Sequence, residues 1–162
     1  MSEVPRFLKA NEQYAASFSK GELKMPPARR VAVVACMDAR LDPARVLGLE
    51  EGDAHVIRNA GGRAADAVRS LVISQQLLGT REVVVIHHTD CGMLTFTDEQ
   101  LRRKVRNELG AESDIAFLSF TDLEQSIRDD VAAIRASRFL LKDVPVTGFV
   151  YDVRTGRLRQ VS

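Results

Sequence analysis

Two cysteines and one histidine in this sequence have the residue types and the spacing of a metal site. Cys36 ends one run of apolar residues, and His88 and Cys91, three residues apart, follow another. Two thiolates and one imidazole can bind zinc, and three protein ligands leave the fourth tetrahedral position to water or a nearby carboxylate. This arrangement is typical of catalytic rather than structural zinc sites.

Other roles of these residues stay open at this point. A free cysteine is commonly a small buried core residue, so Cys36 on its apolar strand could be structural. Cys36 and Cys91 could also form a disulfide, take part in thiol redox chemistry, or supply a nucleophile with a histidine as its base. The joint spacing of the three residues favours the metal site.

An acidic and a basic residue, Asp38 and Arg40, follow Cys36 closely. On an extended backbone their side chains fall on the same side, and a bidentate pair with the guanidinium would fix the orientation of the carboxylate. Asp38 could then fill the fourth zinc position, or stay paired with Arg40 and accept a hydrogen bond from zinc-bound water. An exposed ion pair without a function is the simpler alternative.

The hydrophobic pattern predicts alternating strands and helices. Strands are predicted at 31–36, 54–58, 82–88, 146–153 and 157–161, and helices at 5–19, 64–78, 98–109 and 122–137, with a further helix starting at Asp42-Pro43. The fold class is therefore α/β: a mostly parallel sheet of about five strands in three layers, with flanking helices, an antiparallel edge strand and an N-terminal helical arm. Ligands of such sheets bind outside the carboxyl ends of the strands, so Cys36 and His88 converge if their strands are neighbours.

The segment Asn59-Ala60-Gly61-Gly62 is rich in glycine but matches neither the dinucleotide-binding fingerprint nor the phosphate-binding loop. We expect a tight turn that lines the same rim of the sheet and leaves room for a small substrate. The remaining histidines, His55 and His87, are predicted to be structural.

Length and charge limit the alternatives further. The 162 residues are sufficient for one domain, divided here into an arm (1–27) and a catalytic core (28–162), and the net charge is +1. So neutral a chain favours neither nucleic acid nor an anionic membrane as a partner. The N-terminus lacks the apolar core of a signal peptide and no apolar run approaches the roughly 20 residues of a membrane span, so a cytoplasmic protein is expected.

Three stretches of the chain resemble the β-class carbonic anhydrases, in the short form of that family. They are residues 35–40 (ACMDAR), 57–62 (IRNAGG) and 87–92 (HHTDCG), in the order and approximate spacing of the family. The resemblance runs from about Val31 to Val153.

The resemblance implies one Zn²⁺ per chain, bound by Cys36, His88 and Cys91, with Asp38 able to join them. It also implies that Asp38 and Arg40 form a catalytic dyad beside the metal and that the backbone of Gly92 donates to the bound water or product.

The implied reaction is the reversible hydration of carbon dioxide to bicarbonate by zinc-bound hydroxide. The implied assembly is a homodimer or a tetramer, with the N-terminal arm reaching over a partner subunit.

The same short scaffold also resembles enzymes that hydrolyse carbonyl sulfide and, more distantly, carbon disulfide. These linear substrates are nearly equal in size and offer a pocket little to discriminate, and the candidate discriminating side chains are Met37, Ala60, Met93 and Leu94. A zinc-binding protein without turnover, its fourth position held permanently by Asp38, is a further alternative.

Overall fold

The strand that ends in Cys36 lies inside a five-stranded sheet. The computed structural model describes residues 2–162. Its strands are β1 (Val31–Cys36), β2 (Ala54–Asn59), β3 (Glu82–His88), β4 (Val146–Tyr151) and β5 (Leu158–Gln160). Their order is β2-β1-β3-β4-β5; the first four are parallel, and β5 pairs antiparallel with β4 at one edge. The predicted α/β sheet, the neighbouring β1 and β3, and the antiparallel edge strand are thus confirmed.

Five helices connect and flank the strands. They are α1 (Val4–Ala16), α2 (Pro43–Leu47), α3 (Ala64–Gln76), α4 (Asp98–Leu109) and α5 (Leu123–Ala136), with short 3₁₀ turns at Ala60–Gly62 and Gly92–Leu94. Polar caps set several of the helix starts: Asp42 accepts from the backbone of Arg45, and Thr97 and Gln100 form a reciprocal capping box. The predicted elements are present, although α1 ends three residues earlier than residue 19 and the strands of the hairpin are shorter than expected.

The two faces of the sheet have separate cores. Alternate side chains of β1 point to opposite faces. Ala32 and Val34 pack in the core formed with α3 and α5, and Val33 and Ala35 pack in the core that holds both cysteines. Burial on both faces explains why the sequence of β1 is a continuous apolar run rather than an alternating one.

The N-terminal arm carries α1, whose side chains are exposed along its length. Its hydrogen bond to the rest of the chain joins the hydroxyl of Tyr14 to Glu51 at 2.9 Å, and Lys20 pairs with the same carboxylate at 3.1 Å. Within residues 2–162, every helix is too short or too polar to cross a membrane.

Candidate metal centre

Three residues predicted as metal ligands come together at the carboxyl edge of the sheet. The ligand atoms of Cys36, His88 and Cys91 all lie within 4.8 Å of one another. The three residues are buried, with exposed fractions of 4%, 0% and 3%. The cluster therefore has the spacing and the enclosure of a site for a single ion.

Backbone geometry explains how the strands bring these residues together. Ala35 of β1 pairs with Ile86 of β3, so both strands end on one rim. Asp90 has a left-handed backbone (φ 55°), which turns the chain so that Cys91 faces the end of β1. Gly62, also left-handed (φ 69°), packs against the same strand end: a Cβ on it would lie 2.8 Å from the backbone nitrogen of Cys36.

The donor set fits zinc. Nδ1 of His88 lies 2.8 Å from the carbonyl oxygen of Thr89, so this nitrogen carries the ring proton. Nε2 of His88 is then left as a lone pair, and it is buried without a hydrogen-bond partner among residues 2–162. A metal ion satisfies such an orphaned nitrogen, and imidazole with two thiolates is a donor set that zinc prefers.

The two cysteines of the cluster differ in how readily they ionise. A hydrogen bond with Cys91, followed by the proximity of His88, lowers the pKa of Cys36 to about 4 against the opposing effect of burial. The same interaction with the Cys36 thiolate, together with burial, raises the pKa of Cys91. Burial opposes protonation of His88, but the neighbouring Cys36 thiolate and the Thr89 carbonyl outweigh it and raise the pKa of His88. The thiolate form of Cys36 is thus already favoured without a metal.

The pairing expected for Asp38 and Arg40 is present and bidentate. Nε and Nη2 of Arg40 donate to the two carboxylate oxygens at 2.9 and 2.8 Å, and the backbone N–H of Arg40 adds a third bond at 2.8 Å. These hydrogen bonds hold the pKa of Asp38 well below its usual range. Oδ2 of Asp38 lies 3.7 Å from Nε2 of His88, so the carboxylate borders the ligand cluster.

A cavity of about 410 Å³ opens directly over the cluster. Besides the ligands and Asp38, its lining is largely apolar and consists of Met37, Ala60, Gly61, Gly92, Met93, Thr95 and Phe96. The expected positions Met37, Ala60, Met93 and Gly92 line it. Leu94 does not: it packs instead in the core that holds the cysteines.

Sequence reasoning missed three residues of this region. Phe96 lines the cavity. Arg58 of β2 donates to the carbonyl oxygens of Cys36 (3.0 and 3.1 Å) and Asp38 (2.7 Å) and so braces the loop between them. Asp90 pairs with Arg40. The motifs gave a signal for Asp90, which lies between two predicted ligands, and for Arg58, which stands in the stretch 57–62, but none for Phe96.

The other histidines lie outside the ligand cluster. Nδ1 of His55 lies 2.7 Å from the hydroxyl of Ser74. His87 is completely buried, with Nδ1 2.8 Å from the hydroxyl of Ser126 and Nε2 3.2 Å from the carbonyl oxygen of Gly62. Both are held by hydrogen bonds away from the metal centre, as expected of structural histidines.

The fold and the site together define an α/β protein with a metal centre of two cysteines and one histidine at the carboxyl edge of a parallel sheet. The family model described as carbonic anhydrase matches residues 31–158. The chain therefore belongs to the carbonic anhydrase family, as its motifs predicted.

Named relatives and solved structures agree with this family. β-Carbonic anhydrase 1 of Mycobacterium tuberculosis is 48% identical over 163 residues, covering 100% of this chain and 99% of the relative. Carbon disulfide hydrolase of Acidianus sp. is 35% identical, covering 94% of this chain and 86% of the relative. The structure of a carbonic anhydrase from Glaciozyma antarctica superposes with a TM-score of 0.96 at 52% identity, with both chains covered completely. The similarity thus covers the whole chain and includes a relative named as a β-carbonic anhydrase.

Proposed function

We propose that this protein is a zinc-dependent carbonic anhydrase that catalyses the reversible hydration of carbon dioxide to bicarbonate. The observation that carries the proposal is the convergence of Cys36, His88 and Cys91 beside a carboxylate held by Arg40, in a chain of the carbonic anhydrase family. One zinc ion held by these three residues would supply a Lewis acid that activates water as a nucleophile.

The dyad next to the cluster orients the reaction. Asp38 has 18% of its side chain exposed and lines the cavity, so its carboxylate is placed to accept a hydrogen bond from a water molecule bound there. Arg40 keeps the carboxylate ionised and turned in one direction through two parallel hydrogen bonds. Asp38 and Arg40 are therefore the proposed catalytic dyad.

The cavity suits a small apolar substrate. Met37 and Ala60 contribute apolar walls near the ligands, which disfavour bulk water and accept a molecule without a dipole. Gly92 begins a 3₁₀ turn whose own hydrogen bonds start from later residues, so its backbone N–H remains available to an oxygen of the substrate or product. We assign substrate contact to these three residues.

Stopped-flow measurement of carbon dioxide hydration on the zinc-loaded protein tests the proposal. We expect fast hydration that Cys91→Ala abolishes, because the ligand set is then incomplete. Glu124→Gln is the matched control, since Glu124, in the first turn of α5, pairs with Arg128 and Arg159 and belongs neither to the cavity lining nor to the ligand cluster. Zinc bound without hydration activity would instead establish a zinc-binding protein without turnover.

Hydrolysis of carbonyl sulfide or carbon disulfide is the second candidate function. The apolar lining contributed by Met93 and Phe96 favours sulfur-containing linear molecules as well as carbon dioxide, and relatives named carbon disulfide hydrolase match most of the chain. Release of hydrogen sulfide, measured on the same zinc-loaded protein, tests it. Slow hydration together with clear sulfide release would transfer the assignment to this reaction.

We further propose a cytoplasmic homo-oligomer, a dimer or a tetramer. The arm exposes Phe7, Leu8, Tyr14 and Phe18, each at least 48% exposed, and such apolar side chains are favoured at subunit interfaces. Both cysteines are free thiols, which a reducing compartment preserves. Sedimentation velocity of the full chain and of a variant with Phe7 and Leu8 changed to serine tests the assembly, and cell fractionation tests the location.

A further inference from the structure

The guanidinium of Arg40 is held from two opposite sides. Asp38 accepts from its Nε and Nη2 on one side. On the other side, Nη1 donates to the carboxylate of Asp90 at 2.7 Å and Nη2 donates to the backbone oxygen of Asp90 at 2.9 Å. Four N–H groups of one side chain are thus used, which leaves the plane of the guanidinium little freedom to rotate.

The backbone of Asp90 is shaped for this contact. Its left-handed conformation (φ 55°) is uncommon for residues other than glycine, and aspartate and asparagine tolerate it better than most. The residue directly precedes the ligand Cys91, so the turn that places the thiol also directs both oxygen acceptors of Asp90 at Arg40. Asp90 therefore links the segment after β3, which carries Cys91, to the Asp38–Arg40 pair after β1.

We propose that Asp90 is a positioning residue for the hydration reaction: it anchors Arg40, and through Arg40 it keeps the Asp38 carboxylate out of the fourth position of the ligand set. The inference rests on the proposed function. Arg40 is nearly half exposed (46% of its side chain), so without the Asp90 carboxylate, and with only the backbone oxygen of residue 90 left on that side, the guanidinium is freer to turn into solvent. Asp38, whose Oδ2 is 3.7 Å from Nε2 of His88, is then released towards the fourth position of the ligand set.

Asp90→Gly and Asp90→Asn test the proposal. Glycine and asparagine both accept the left-handed backbone, so neither variant strains the turn before Cys91. For Asp90→Gly we expect turnover about threefold to fivefold below wild type, which is the scale of an exposed charge pair. Asp90→Asn, which keeps a neutral acceptor, is expected to lose less. Zinc content and melting temperature are expected to match those of the wild type and of the control Glu124→Gln, which removes arginine pairs outside the cavity and the ligand cluster.

A second readout follows the metal environment directly. In cobalt-substituted protein, the visible spectrum of Asp90→Gly is expected to shift towards that of Arg40→Ala, in which Asp38 has lost both side-chain hydrogen bonds from residue 40. In the Arg40→Ala background, Asp90→Gly is expected to change neither the spectrum nor the turnover, because both residues act in one chain of contacts.

Several results would overturn the inference. The first is wild-type turnover in Asp90→Gly. The second is a loss of turnover on Asp90→Gly that is as large in the Arg40→Ala background as in the wild type. The third is a loss of turnover that is accompanied by a lower melting temperature or a lower zinc content. If the wild-type protein itself shows no hydration activity, the proposed function fails. The cobalt spectra then still decide whether Asp90 holds the dyad, and an unchanged spectrum in Asp90→Gly counts against it.

Discussion

Oδ2 of Asp38 lies 3.7 Å from Nε2 of His88, while both oxygens of the same carboxylate accept hydrogen bonds from Arg40. The carboxylate is thus next to the one ring nitrogen that the metal centre needs, yet it is bound by a guanidinium. The Asp38 carboxylate can either join the metal ligands or remain a hydrogen-bond acceptor at the cavity. The strength of the pairing with Arg40 decides between them.

Arg40→Ala is expected to lower carbon dioxide hydration by about tenfold to a hundredfold, the scale of losing hydrogen bonds between charged groups. Asp38 then loses its partner and is free to occupy the position that water needs, while the three other ligands still hold zinc. Stopped-flow rates and the zinc content of the purified variant are the measurements.

Arg40→Lys supplies the control for charge without the bidentate geometry. Lysine keeps a positive charge near Asp38 but cannot donate two parallel hydrogen bonds, so we expect an intermediate rate. Wild-type turnover in Arg40→Ala would show that the dyad has no part in the reaction.

His88→Ala is expected to abolish stoichiometric zinc binding, because the cluster then retains two thiols and no imidazole. His55→Ala is the matched control: that histidine is also hydrogen-bonded, to Ser74 at 2.7 Å, but it lies outside the ligand cluster. Zinc per chain, measured by mass spectrometry under native conditions, separates the two variants. Equal zinc content in both would disprove the assignment of His88.

The main chemistry of the site could be predicted from sequence because it depends on strand ends. Cys36 and His88 terminate two apolar runs, and the parallel order of β1 and β3 brings such ends to one rim. Asp38 and Arg40 are two residues apart, so their pairing follows from local geometry.

The remaining features depend on how distant segments meet. Arg58 reaches the loop after β1 from the neighbouring strand, and Phe96 reaches the cavity after a 3₁₀ turn that no periodicity marks. Leu94, expected to help discriminate the substrate, is absent from the cavity lining and packs against the core that holds the cysteines. Residues 110–121, between α4 and α5, have no apolar repeat from which a path could be predicted.

Zinc binding to the metal-free protein is expected to release about one proton at mildly alkaline pH. The lowered pKa of Cys36 means that this thiol is already ionised there, whereas the raised pKa of Cys91 means that the metal must displace its proton. As the pH falls, His88, whose pKa is raised, also becomes protonated, so more protons are released and the affinity for zinc drops. Calorimetry in buffers of different ionisation enthalpy measures the number of protons released when zinc binds. Release of two protons at alkaline pH would contradict the ionised state of Cys36.

Asp98→Asn is expected to destabilise the segment between α4 and α5. The carboxylate accepts the backbone N–H groups of Phe117 (2.8 Å), Leu118 (3.2 Å) and Ser119 (3.0 Å), so its loss leaves these groups with a weaker partner. We expect the free energy of unfolding to fall by about 1 to 3 kcal/mol, as measured by urea denaturation at neutral pH.

The pH dependence of this effect has a definite sign. Burial opposes ionisation of Asp98, but the hydrogen bonds from Ser119 and the backbone outweigh it and lower its pKa. The stabilisation is therefore complete above the unfolded-state pKa of about 3.9 and is lost as the pH falls through the folded value. Glu99→Gln removes an acid from the same first turn of α4 and controls for helix-end charge. An equal loss of stability in Glu99→Gln would rule out the role of the hydrogen bonds from Phe117 to Ser119.

Gly62→Ala is expected to impair both stability and zinc binding, since the new Cβ would lie 2.8 Å from the backbone nitrogen of Cys36 and 2.9 Å from the carbonyl oxygen of Ile86. These atoms belong to β1 and β3, so relief of the contact must spread the strand ends that hold the ligands. Gly79→Ala provides the matched comparison, because Gly79 is also left-handed (φ 76° against 69°) but its Cβ would meet nothing within 4 Å. Backbone strain of about 1 to 3 kcal/mol is common to both variants. Loss of zinc affinity beyond that of Gly79→Ala, measured by competition with a chelator, is the expected result; equal affinity in the two variants would show that the turn at Gly62 does not position Cys36.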